Sequence, residues 1–141
     1  MTELDYAGDI SPKEAWNLLK EHENCHLVDC RTSAEWGFVG VPDLEKLNKS
    51  VYFVEWQVFP MMEKNSKFLE EIVESGLSKE ARIIFICRSG ARSRSAAEFL
   101  TNHGYKNCYN FSEGFEGVHN GDGHRGEVSG WKFSNFPWKQ G

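Results

Sequence analysis

The stretch "RIIFIC", Arg82 to Cys87, constrains the fold more than any other part of this chain. After Arg82 its apolar residues run without alternation. A strand of that kind must be covered on both faces, as happens in a parallel sheet flanked by helices. A helix is expected soon after, from Ser93 to His103. Ala96, Phe99, Leu100 and His103 share one of its faces, and Gly104 ends it.

The remaining segments alternate in the same way. Ser11-Pro12-Lys13-Glu14 reads as a capping box with proline at the first helical position, opening a short helix to about His22. "HLVDC" (His26 to Cys30) reads as a buried strand, and "SVYFVEW" (Ser50 to Trp56) as a β-rich one. Phe68, Leu69, Ile72 and Val73 form a helical stripe that Gly76 closes. "NCYNF" (Asn107 to Phe111) is a further strand. Strands alternating with helices predict an open α/β sheet, in which sites lie beyond the carboxyl ends of strands. Cys87 occupies such an end.

From 113 to 130 the pattern stops. Six of the thirteen glycines lie there, so this stretch is expected to be a long loop. The tail from 131 to 141, "WKFSNFPWKQG", is dense in aromatic residues and is expected to dock on the body.

The chain has 141 residues, which suits one domain able to bury about two-thirds of its unfolded surface. Its net charge of −5 argues against a nucleic-acid binder or a ligand of anionic membranes. Positive charge gathers in one place, where Arg88, Arg92 and Arg94 follow Cys87 within seven positions. "MTELDYAGDISPKEAW" lacks the basic and apolar regions of a secretory signal, and no apolar run approaches the roughly 20 residues of a membrane span. Cys25, Cys30, Cys87 and Cys108 include no C-x-x-C pair, so no structural metal site is expected. Free thiols fit a reducing cytoplasm.

Physics assigns a role to the arginines. In "CRSGARS" (Cys87 to Ser93), Gly90 permits a positive φ, and loop amides can turn inward. The following helix adds unpaired N–H groups and the positive end of its dipole. A cradle of this kind holds anions, and a cysteine sulfur within it is favoured as thiolate.

"CRSGARS" resembles the active-site loop of rhodanese-like sulfurtransferases, which runs Cys-Arg-x-Gly-x-Arg-Ser/Thr. "LVDCRTSAEW" (Leu27 to Trp36) is similar to an upstream segment of the same family, and "GWKFSNFPW" resembles its closing pattern, with Asn135 in place of a usual glycine. "VGVPDL" (Val39 to Leu44) departs from the family, because its usual histidine is missing. The resemblance implies one rhodanese-like domain over 1–141, with an open, mainly parallel five-stranded sheet and helices on both faces. It implies that Cys87 takes sulfane sulfur from a small anionic donor such as thiosulfate and passes it, as a persulfide, to a thiol or protein acceptor, with no cofactor. Arg88, Ser89, Gly90, Ala91, Arg92 and Ser93 would bind the donor. Two loop arginines favour thiosulfate over mercaptopyruvate. Asp29, Arg31 and Glu35 would form a supporting network, with Arg92 pairing to Glu35.

Two other functions share these features. A Cys-dependent phosphatase has five residues between its Cys and Arg, whereas Cys87 and Arg92 are separated by four, a tighter cradle that suits sulfur better than tetrahedral phosphate. A non-catalytic binding module of the same fold usually lacks the cysteine. Cys30 is a candidate resolving thiol, since it and Cys87 end strands that can be neighbours. Cys25 and Cys108 read as structural. "NGDGHRGE" (Asn120 to Glu127) departs from a calcium loop at His124 and Arg125. His119 and His124 read as polar loop residues, and Arg125 as a residue able to draw an anion toward the site.

Overall fold

The computed structural model describes residues 6–58, 61, 63–117 and 129–140. The strands are β1 (Gly8–Ile10), β2 (Cys25–Asp29), β3 (Val41–Pro42), β4 (Tyr52–Phe53), β5 (Gln57–Val58), β6 (Glu63–Lys64), β7 (Arg82–Ile86), β8 (Asn107–Phe111) and β9 (Trp138–Lys139). The helices are α1 (Pro12–Glu21), α2 (Ser33–Val39), α3 (Phe68–Glu74) and α4 (Ala91–Thr101). Five strands pair in the order β1-β8-β7-β2-β4, and every pairing is parallel. This is the expected open α/β architecture.

The uninterrupted apolar run explains why β7 lies at the centre. Ile83, Ile84, Phe85 and Ile86 are all fully buried. Their side chains alternate between two cores. Ile83 and Phe85 pack with Phe68 and Ile72 of α3 and with Ala96, Ala97 and Leu100 of α4. Ile84 and Ile86 pack on the other face with Ala15 and Leu19 of α1, Phe111, Phe115 and Trp131.

Helix ends follow local chemistry. Ser11 caps α1, its Oγ accepting from the Glu14 amide at 3.2 Å while the Glu14 carboxylate accepts from the Ser11 amide at 3.2 Å. Gly76 follows α3 with φ of +90°, a conformation glycine adopts without strain. Helix α4 begins at Ala91, two residues earlier than expected, because Gly90 completes the turn and the Arg94 amide already donates to its carbonyl. His103 lies beyond α4 and is exposed, its ring against Phe99.

The strand expected over 50–56 is shorter. Only Tyr52 and Phe53 pair as β4, after which the chain follows the end of β2 through Val54 N to Asp29 O and Trp56 N to Cys30 O. The tail docks as expected. Trp131 is fully buried between Trp16, Phe111 and Phe136, and its Nε1 donates to the Pro137 carbonyl at 2.7 Å. Trp138 then pairs with β3, while Phe133 and Trp138 keep part of their rings in solvent. Among the described residues no helix is long and apolar enough to cross a membrane.

Trp131 ties the tail to the core on one face of the sheet. Trp131→Ala is expected to lower unfolding free energy by about 3–5 kcal/mol, the usual cost of truncating a buried large aromatic. Urea denaturation followed by circular dichroism measures it.

Candidate active site

Cys87 follows the last residue of β7, so it leaves the sheet at its carboxyl end. The turn beyond it requires glycine. Gly90 has φ of +110°, and a Cβ there would sit 2.2 Å from the Ser112 carbonyl oxygen. Gly90 is also the N-cap of α4. The amides of Ala91, Arg92 and Ser93, in the first turn, therefore have no acceptor within the helix. The Gly90 amide donates to Cys87 Sγ at 3.1 Å, and Ser93 Oγ lies 3.2 Å from the same sulfur. Cys87 is only 1% exposed, so the sulfur sits at the floor of the loop. Ser89 is half-buried and Ala91 exposed at the rim.

A polar relay fixes Ser93. Tyr6 Oη donates to Asp9 Oδ1 at 2.8 Å, and Asn110 Nδ2 donates to the same oxygen at 2.9 Å. That contact turns Asn110 Oδ1 toward Ser93, whose hydroxyl donates to it. Ser93 Oγ is also 3.2 Å from the Gly90 carbonyl, and in its contact with Cys87 Sγ either atom can donate. Sequence reasoning placed Ser93 in the loop but missed Asp9 and Asn110. The available signal was Asn110 itself, an amide in a buried strand that must find a partner.

The outer wall of the loop is held by residues that follow β8. The amides of Phe115, Glu116 and Gly117 donate to the carbonyls of Cys87 and Arg88 at 2.7, 3.0 and 3.1 Å. This approach needs Gly114, where a Cβ would lie 2.3 Å from the Arg88 oxygen. The first part of the predicted loop over 113–130 is thus a bracket for the Cys87 loop. Residues 118–128 lie outside the described residues, and with them the readings of His119, His124, Arg125 and the "NGDGHRGE" segment.

Two ion pairs flank the loop where one network was expected. Asp29 and Arg31 are both fully buried and meet at 2.6 Å, with Arg31 Nε also donating to Asp29 Oδ1 at 2.9 Å. Arg31 Nη2 donates to the Gly40 carbonyl at 2.7 Å, and the guanidinium lies 4.3 Å from the centre of the Phe115 ring. Arg31 thus supports the residue whose amide holds Cys87. Glu35 instead takes Arg92 in a two-pronged contact, at 2.6 and 2.9 Å. Glu35 lies in the first turn of α2, from which it reaches Arg92. Thr32 caps that helix through the Glu35 amide at 3.3 Å, and Glu35 Oε1 accepts from the Thr32 amide at 3.2 Å. Burial pushes the Glu35 carboxyl up, but the hydrogen bonds and charge of Arg92, with the Thr32 amide and Arg31, outweigh it. The net effect is a value below the ordinary one.

The three arginines therefore separate. Arg94 is exposed, pairs with Glu98 at 3.1 Å and leaves the cradle. Arg92 is tied to Glu35. Arg88 is exposed at the mouth of the loop and has no side-chain partner among the described residues. All four cysteines are free thiols. Burial pushes Cys25 up to about 11, against the pull of Lys49, and Cys108 up to about 12. Burial also drives the Cys30 thiol well up, and the neighbouring Cys87 sulfur and Asp29 carboxylate add to it. Among the described residues no cluster of three or more His, Cys, Asp or Glu side chains could hold a metal ion.

A parallel sheet with a cysteine-centred loop at its carboxyl edge is a widespread arrangement, and comparison with known proteins identifies its kind here. The family model described as a rhodanese-like domain matches residues 11–120. The chain belongs to the rhodanese-like family. The uncharacterized protein RC0915 of Rickettsia conorii is 47% identical to this rhodanese-like chain over 131 residues, covering 93% of it and 96% of the relative. The thiosulfate sulfurtransferase GlpE of Actinobacillus pleuropneumoniae serotype 3 is 29% identical over 109 residues, 77% of this chain and 83% of GlpE. Among solved structures, Rv0390 from M. tuberculosis superposes with a TM-score of 0.88 at 45% identity, over 96% of this chain and 99% of that one. The polysulfide-sulfur transferase homodimer from Wolinella succinogenes gives a TM-score of 0.64 at 25% identity, covering 97% and 80%. The rhodanese-like fold and a kinship with sulfurtransferases follow from these matches.

The Glu35–Arg92 pair links α2 to the Cys87 loop. Glu35→Gln is expected to cost roughly 1 kcal/mol at neutral pH, since the pair is largely but not wholly buried. Because the folded carboxyl lies below its ordinary value of 4.5, its contribution is present above that pH and fades as pH falls through the folded value. The stability difference between wild type and variant should therefore shrink on acidification below 4.5. Denaturation curves at a series of pH values measure this.

Proposed function

We propose that this protein moves sulfane sulfur from thiosulfate or a similar anionic donor to a thiophilic acceptor through a persulfide on Cys87. The observation that carries this reading is the sulfur itself. Cys87 Sγ sits at a strand's carboxyl end, receives the Gly90 amide at 3.1 Å, and lies beneath the first turn of α4. That arrangement gives a bound persulfide anion backbone amides to meet.

The chemistry takes two displacements. The Cys87 sulfur attacks the outer sulfur of thiosulfate, and the S–S bond breaks with its electron pair leaving on sulfite. An acceptor thiolate or cyanide then attacks the outer persulfide sulfur, and Cys87 leaves as thiolate. Dividing the transfer in this way is covalent catalysis and gives ping-pong kinetics. Ser89, Gly90, Ala91 and Ser93 shape the cradle. Arg88, open at the mouth, meets the sulfonate oxygens of the donor, which suits a forked guanidinium. Arg92 keeps its place through Glu35 and adds charge from the side, while Asp29 and Arg31 hold the bracket. The domain is read as one unit over 1–141. Four free thiols fit a reducing compartment, so a cytoplasmic location with a small thiol or protein acceptor is the reading adopted.

Incubation with thiosulfate is expected to add one sulfur atom to Cys87, read by intact mass and peptide mapping. Cys87→Ser should abolish thiosulfate:cyanide transfer while keeping the circular dichroism spectrum. Turnover unchanged in that variant, or a label on Cys25 or Cys108, would falsify the assignment. Arg88→Ala is expected to raise KM for thiosulfate roughly tenfold, the loss of about 1.4 kcal/mol from one charge-assisted contact. Steady-state kinetics with cyanide held in excess tests it.

A further inference from the structure

Cys30 is buried beside the Cys87 loop and takes no part in the transfer described above. Its position follows from strand register. Strands β2 and β7 pair in parallel, with Val28 opposite Phe85 and Asp29 opposite Ile86. The ladder continues one step further, since the Cys30 amide donates to the Ile86 carbonyl at 3.0 Å. Cys30 and Cys87 are therefore the next facing pair. Neighbouring strands lie about 4.8 Å apart, within the ~4.4–6.8 Å separation of Cα atoms that a disulfide bridges.

The two side chains also point the same way. Val28, Cys30, Phe85 and Cys87 belong to one apolar core, whereas Leu27, Ile84 and Ile86 belong to the other. Cys30 Sγ lies 3.4 Å from the Ile86 carbonyl oxygen, on the peptide that leads into Cys87. The other cysteines are excluded. Cys108 faces Ile83, four residues back along β7 and so about 13 Å away. Cys25 lies in the opposite core.

We propose that Cys30 is a resolving thiol for the Cys87 persulfide, closing a Cys30–Cys87 disulfide and releasing hydrogen sulfide when no acceptor arrives. The proposal rests on the persulfide reading above. In the step, the Cys30 sulfur gives up its proton and attacks Cys87 Sγ. The bond between Cys87 Sγ and the outer sulfur breaks, its electron pair leaves on the outer sulfur, and that sulfur departs as hydrosulfide, taking the proton as hydrogen sulfide. No external oxidant is needed, because the persulfide is already at the oxidation level of a disulfide. A reducing thiol in excess returns both cysteines to the free state. Burial makes Cys30 a poor nucleophile, so resolution is slow and an acceptor that reaches the outer sulfur wins.

The reduced protein is incubated with thiosulfate without acceptor, quenched in acid, alkylated and mapped, while released sulfide is measured. In the wild type the persulfide is expected to give way to a form two hydrogen atoms lighter than the reduced protein, with Cys30 and Cys87 joined and one sulfide released per chain. In Cys30→Ser and Cys30→Ala the persulfide should persist, with sulfide release slowed roughly tenfold or more. A wild-type persulfide that survives as long as in the variants, or a disulfide to Cys25 or Cys108, overturns the proposal. The wild-type map decides the question even if both variants misfold. A parallel arm uses inorganic polysulfide. If polysulfide loads Cys87 and thiosulfate does not, the donor assignment fails while the resolving step is still read. If neither loads Cys87, the persulfide reading and this inference both fail.

Discussion

The parallel register between β2 and β7 is the constraint on which the rest of the structure depends. It sets Asp29 level with Ile86, so both strands release their chains at the same height. One chain turns into the Cys87 loop and the other into the cap of α2. Glu35 and Arg92, far apart in sequence, meet because those two exits are neighbours. A slip by one residue would send the cysteine to the opposite core and its arginine away from the carboxylate. The unbroken apolar run of β7 protects against such a slip only in part, since both its faces are buried. The Glu35–Arg92 contact, which joins the two exits, adds a pairing that a slipped register would lose.

Electrostatics at the site is more economical than the density of arginines suggests. Of the three loop arginines, one faces solvent with Glu98, one is matched by Glu35, and Arg88 has no side-chain partner among the described residues. Among the described residues, the loop arginine left to meet an incoming anion is thus Arg88, supported by amides. That fits a chain whose overall charge is negative, because a local basic site can draw an anion without a basic surface.

Much of the architecture was legible because periodicity reports burial. The central strand, the capped first helix and the docking of the aromatic tail all follow from local patterns. The pairing of Arg92 with Glu35 is non-local and was anticipated only through the family resemblance. What escaped was short or non-local. Strand β1 has three residues, one of them Gly8, and is recognisable only by its pairing with β8. Helix α2 buries no residue of its own, so it has no apolar stripe to read, although Thr32-x-x-Glu35 was a capping box in plain view. The Asp9–Asn110–Ser93 relay joins three separate segments, and no spacing rule connects them. Strands β3 and β9, at Val41–Pro42 and Trp138–Lys139, pair two residues each from distant parts of the chain, through backbone contacts that leave little trace in composition.

The bracket formed by Phe115, Glu116 and Gly117 has an implication for the order of assembly. These residues hold the carbonyls of Cys87 and Arg88, and Gly114 and Phe115 are themselves held by the amides of Trp131 and Lys132. The loop is thus shaped by segments that emerge from the ribosome well after it. A nascent chain halted past β8 would own all five strands of its sheet but not a finished pocket, which waits for Trp131 and Lys132.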